Sequence, residues 1–144
     1  MQTRRSLFVI ALVAASALAG CNTATPSAET AEGDEPAHVE HVEGSELALV
    51  SLTQRAAERL GIRTAPVEES GGKLLVPYGS VYWDAEGGAW AYVEEEPLHY
   101  MRHPLSIESI DGDTAVLTDG PPAGSTVVSV GTVELIGTEF EVGH

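Results

Sequence analysis

Apolar and polar positions divide the chain into three stretches. The first holds an apolar run from Leu7 to Ala19, with Ser16 its one polar residue. The second, Asn22 to about Ser45, is Thr, Ala, Pro, Ser, Glu, Gly and Asp over most of its length, with no large apolar residue between Thr23 and Pro36. From Leu47 onward, short apolar bursts alternate with breaks rich in Gly, Pro and Asp. Leu47–Leu52 predicts a strand. Thr53 reads as an N-cap before Gln54–Leu60, a run of good helix formers with Ala56, Ala57 and Leu60 as its buried stripe. Gly61 suits the position after that helix. Ile62–Val67 is extended, and Pro66 marks an edge or a strand end. Glu69–Gly72 is a turn.

Beyond Gly72 the pattern is strands and tight turns. Leu74–Val76, Val81–Trp83, Ala89–Val93, Thr114–Thr118 and Thr126–Val130 read as strands. Asp84–Gly88 is a hairpin connection whose glycines allow positive φ. Asp111–Asp113 is a second tight turn, and Asp119–Gly124 a loop. Leu98–Arg102 and Leu105–Ile110 form an extended stretch broken at Pro104. Trp83, Trp90, Tyr82 and Tyr92 alternate within strands, which fits core packing better than ligand stacking. No helix is long enough for a crossover between parallel strands. Residues 46–144 are therefore expected to form an all-β domain, a small barrel or roll with one short helix.

The first stretch changes the setting. Arg4-Arg5 opens a basic region, and the apolar run after it is too short for a transmembrane span. It ends in Leu18-Ala19-Gly20-Cys21, which resembles the lipobox of bacterial lipoproteins. That resemblance implies a signal over residues 1–20, lipidation of Cys21, and anchoring of the chain to a bilayer by two or three acyl chains. The alternative is an ordinary export signal cut near Cys21, but Cys21 is the single cysteine of the chain. Residues 21–45 then read as a disordered acidic tether. Asn22 follows the lipid site, and resemblance to the sorting rule of well-studied Gram-negative bacteria then implies the outer membrane, with the inner membrane left open.

Charge narrows the partners. All 22 acidic residues lie after Cys21, while two of the seven Lys/Arg fall in the signal. Removing the signal moves the net charge from −15 to −17. Such a surface repels nucleic acid and suits cations or a basic protein.

Candidate chemistry is sparse. His38-Val39-Glu40-His41-Val42-Glu43 ends the tether. Its two imidazoles (His38, His41) and two carboxylates (Glu40, Glu43) are donors that suit Zn²⁺, Cu²⁺ or Ni²⁺. An extended backbone sets His38 and His41 on opposite faces, so a plain solvated linker is the competing reading. His99 and His103 are four apart and share a strand face. They read either as surface histidines or as a metal pair. Glu94-Glu95-Glu96 is a solvated strand end. There is no nucleophile-elbow serine, free thiol or phosphate-binding glycine loop, so no enzyme is expected.

Several segments carry a family resemblance. Leu52–Val67 resembles the opening of periplasmic adaptor subunits, or membrane fusion proteins, of resistance-nodulation-division efflux pumps, with the heavy-metal branch nearest. Val76-Pro77-Tyr78-Gly79-Ser80-Val81, Trp90-Ala91-Tyr92-Val93, Tyr100–Leu105 and Gly120–Gly131 resemble, in order, the C-terminal strands of the same adaptors. Ser70-Gly71-Gly72 stands where a full adaptor carries its lipoyl-like sandwich and helical hairpin, and Pro121 replaces a leucine. The resemblance implies a membrane-proximal β-domain on a lipid anchor, without the reach to an outer-membrane channel. Its expected role is a binding module in export of metal ions or drugs. Its expected partner is a resistance-nodulation-division transporter or a full-length adaptor, met through Tyr78, Trp90, Tyr92, Tyr100 and Arg102. The alternatives are a periplasmic metal-binding lipoprotein holding Zn or Cu on the His/Glu tail, and a degenerate adaptor fragment.

Overall fold

The structure is a computed structural model that describes residues 35–141. The basic region, the apolar run and Cys21 lie outside the described residues, as does the tether up to residue 34.

The strands β1 (Ala37–His41), β2 (Ala48–Leu52), β3 (Arg63–Pro66), β4 (Glu68–Ser70), β5 (Lys73–Pro77), β6 (Tyr82–Trp83), β7 (Ala89–Glu96), β8 (His99–Asp111), β9 (Thr114–Asp119) and β10 (Thr126–Val130) form one sheet. Its main path runs β3-β10-β7-β8-β9-β5-β4 and curls into a nearly closed barrel. The fold is all-β, as the spacing of strands and turns predicts. Pairing is antiparallel throughout, so tight loops suffice. Gly71 and Gly72, at φ +59° and +75°, make the two-residue β4–β5 hairpin that left-handed backbone permits. β3 ends at Pro66 and lies at one end of the strand order, where a missing N–H costs no ladder bond.

The helix α1 (Gln54–Leu60) forms where expected. Thr53 Oγ1 accepts from Ala56 N at 3.2 Å, and Gly61 adopts the left-handed C-terminal conformation at φ 68°. A second helix, α2 (Thr132–Glu141), follows β10 and was not evident from the sequence. A 3₁₀ turn, Tyr78–Ser80, links β5 to β6.

Two expectations on strands are corrected. The tether was expected to run to about Ser45, but Ala37–His41 is a strand paired with β2. Ala37 and Val39 pack against the core while His38 and Glu40 face out, so the polar positions hid a half-buried strand. Pro104 does not break the stretch around it. β8 runs without interruption over thirteen residues. Pro104 is exposed and lies between Met101, the last residue of β8 that pairs with β2, and Ser106, the first that pairs with β9.

That change of partner gives two cores. Inside the barrel are Val67, Val76, Ala89, Ala91, Val93, Leu105, Ala115, Leu117 and Val127. Outside it, Val50, Leu52, Ala56, Ala57, Tyr92, Tyr100, Val128 and Leu135 pack the β1–β2 hairpin and both helices against β7, β8 and β10. β7 is thus covered on both faces, and the first half of β8 on the face that carries Tyr100 and Arg102. No helix among the described residues is long and apolar enough to cross a membrane.

Candidate functional site

The second core holds the most polar interior of the molecule. Tyr92 on β7 and Arg102 on β8 are register partners, so their side chains share one face. α2 lies across that face and lowers Glu139 onto both. Arg102 Nε donates to Glu139 Oε1 at 2.8 Å, and Tyr92 Oη donates to Glu139 Oε2 at 2.5 Å. Arg102 Nη1 donates to Tyr82 Oη at 3.3 Å, and Nη2 to the Glu46 carbonyl at 2.6 Å. Its guanidinium lies 5.2 Å from the ring centres of both Trp90 and Phe140. Tyr82 stacks on Tyr92 with centroids 6.0 Å apart.

Buried charge costs several kcal/mol unless every donor and acceptor is met. Here each nitrogen of Arg102 and each oxygen of Glu139 has a partner, and the ionisations respond. Burial opposes the Arg102 charge, but the Tyr82 hydroxyl and the Glu139 carboxylate outweigh it and hold its pKa above the usual arginine value. Burial, then Glu139, pushes Tyr92 far up, and burial against the help of Arg102 raises Tyr82. Tyr100 is pushed up to about 12 by burial and by the nearby Glu94. Both Glu139 oxygens are engaged by protein donors, so the network acts as a clamp between helix and barrel.

The partner-contact residues expected from sequence are corrected accordingly. Tyr92, Tyr100 and Arg102 are interior, at 0 %, 2 % and 8 % exposure, and cannot meet a partner. Alternation puts them on one face of β7 and β8, and segments remote in sequence cover that face. Trp90 is half-buried, its indole N–H donating to Asp84 Oδ2 at 2.7 Å. Asp84 also accepts from Gly88 N at 2.5 Å. These bonds, the indole first, hold its carboxyl below the ordinary value of 3.8. Tyr78 is exposed, as expected.

The imidazoles are scattered. His38 and Glu40 share the outward face of β1, while His41 ends the strand opposite Ala48. Glu43 lies in the loop after it. His99 Nδ1 lies 2.9 Å from the Pro97 carbonyl, and His103 Nε2 2.6 Å from Glu95 Oε1. Four residues along a strand separate His99 and His103 by about 13 Å, too far for one ion. Among the described residues, no three His, Cys, Asp or Glu side chains come together as a metal site.

Several large apolar side chains are exposed, and four of them lie on neighbouring segments. Tyr78 (41 %), Trp83 (52 %), Val130 (42 %) and Val133 (74 %) are large apolar side chains left exposed. Their segments are locked together. Thr132 Oγ1 donates to the Gly79 carbonyl at 3.2 Å, and a Cβ at Gly79 would stand 2.9 Å from the Ser129 carbonyl. Only a glycine allows that approach of the 3₁₀ turn to β10. Trp83 follows the turn on β6. Tyr78 is among the contact residues expected from sequence, whereas Trp83, expected in the core, is exposed; nothing in the alternation marks Val130 or Val133.

No protein-family model matches the chain, and no curated protein matches it in sequence.

Proposed function

We propose that this chain is a cell-envelope lipoprotein that works as a binding module rather than an enzyme. Acylated at Cys21, it holds a small β-barrel beside a membrane facing the periplasm. The barrel is of the kind found in the membrane-proximal part of efflux adaptors. It docks on a resistance-nodulation-division transporter or a full-length adaptor and supports export of metal ions or drugs. The observation that carries this reading is the group Tyr78, Trp83, Val130 and Val133, four exposed apolar side chains on interlocked segments. Exposed apolar clusters with aromatic anchors are what protein interfaces bury. The net charge of the chain, −15, favours a basic partner surface.

The test is photo-crosslinking in cells that co-express the transporter. A crosslinking residue at Trp83 or Val133 should give an adduct with the transporter or its adaptor, and one at the exposed Ser109 should not. Equal adducts at all three positions, or none at Trp83 and Val133, would remove the reading.

A further inference from the structure

α1, α2 and β1 do not close on one another. Between them lies a groove of about 540 Å³ lined by Pro36, Ala37, Leu52, Ala56, Leu60 and Gly137, with Arg59, Glu134 and Thr138 also on its walls. The volume is within the range of small-molecule sites, ~300–1,000 Å³. Small residues make it: Ala37 and Ala56 line it beneath, and Gly137 stands in the middle of α2. A glycine inside a helix weakens it relative to alanine. A Cβ at Gly137 would meet nothing within 4 Å, so packing does not demand glycine there.

The groove continues into a second hollow of about 330 Å³. The two share Pro36, Ala56 and Arg59, and the hollow adds Thr53 and Arg55 with no carboxylate on its lining. Arg55 and Arg59 are a turn apart on α1 and exposed. Five basic residues follow Cys21. Arg102 is buried on Glu139 and Lys73 pairs with Glu108 at 3.1 Å. Arg55, Arg59 and Arg63 make no ion pair among the described residues. The neighbouring Glu58 is held by Gln54 Nε2 at 3.0 Å. Glu134 is the one carboxylate on the groove, across it on α2. Among the described residues, an acidic chain thus sets two guanidinium groups without an ion pair at one end of an open apolar groove.

We infer that this groove binds a long-chain fatty acid, its tail between α1 and α2 and its carboxylate between Arg55 and Arg59. An apolar groove with cations at one end fits an anionic single-chain amphiphile, with desolvation holding the tail and paired N–H donors orienting the head. The site goes beyond the docking role proposed above and uses none of its residues.

The experiment titrates the full chain, held in phosphatidylcholine nanodiscs, with cis-parinaric acid, using empty nanodiscs as the blank. A saturable rise in fluorescence that palmitate reverses is expected. Gly137→Phe should abolish it while leaving the melting curve in place, since phenylalanine suits a helix better than glycine and projects into open space. Arg55→Gln with Arg59→Gln should weaken binding about tenfold, and a long-chain alcohol should compete about tenfold less well than palmitate. Equal binding by the parent and Gly137→Phe overturns the site. Equal competition by alcohol and acid overturns the ligand. No saturable signal from the parent chain overturns both and leaves the groove to a protein partner or to the chain's own segment before Pro36.

Discussion

Arg102 Nε and Glu139 Oε1 lie 2.8 Å apart, with their side chains 9 % and 3 % exposed. The pair spans 37 residues of sequence and joins the middle of the sheet to α2. Removing one partner strands the other charge in the interior. Glu139→Ala is therefore expected to cost about 3–5 kcal/mol in urea unfolding. Replacing both residues with methionine should cost less than the sum of the two single changes, because no lone charge is left. A Glu139→Ala chain as stable as the parent would show that the clamp contributes nothing.

Alkaline pH should loosen the same region. Tyr82, Tyr92 and Tyr100 all titrate above the ordinary tyrosine value of 10.0 in the folded chain, and about 12 is reached at Tyr100. Between those values the unfolded chain releases protons that the folded chain keeps. Their contribution to stability is thus complete below about pH 10 and declines above it, by up to about 1.4 kcal/mol per pH unit for each tyrosine. Urea midpoints measured upward from about pH 9 should fall, and Tyr92→Phe should make the fall shallower.

Asp84 gives the opposite sign at the acid end. Its carboxylate is favoured by the Trp90 indole and the Gly88 amide, so its pKa lies below 3.8. The stabilisation is present above that ordinary value and disappears as pH falls through the lower folded one. In a Trp83→Phe background, Trp90 emission should change in that acid window. Asp84→Ala should abolish the change; its survival would assign it to another group.

Two glycines, one just before α2 and one within it, should respond in opposite directions. Gly131 has φ +93°, and a Cβ there would run into the Ile62 side chain. Gly131→Ala should cost about 1–3 kcal/mol. Gly137 lies in the helix with open space beside it, so Gly137→Ala should stabilise by about 0.5–1 kcal/mol. Thermal melts of the two variants, shifted to either side of the parent, would bear this out.

The barrel was legible because its turns are written in Gly and Asp and its strands in alternation. The helix α2 was not. Thr132, Val133, Ile136, Gly137 and Thr138 are weak helix formers, and contacts of Leu135 and Glu139 with the sheet decide its conformation. β1 was hidden for a related reason: Ala37 and Val39 are its whole inward face. The candidate contact surface was half legible. Tyr78 is exposed, but whether Tyr92, Tyr100 and Arg102 face solvent depends on a second layer supplied by Glu46, Leu135 and Glu139, far away in sequence.

The clamp also sets an order of events. A chain delivered N-terminus first presents Arg102 well before Glu139 emerges. During that interval the outer layer of the barrel would have to seal a guanidinium without its counter-charge, which is unfavourable. The outer layer over β7 and β8 is therefore expected to close around Arg102 only once Glu139 is available to meet it.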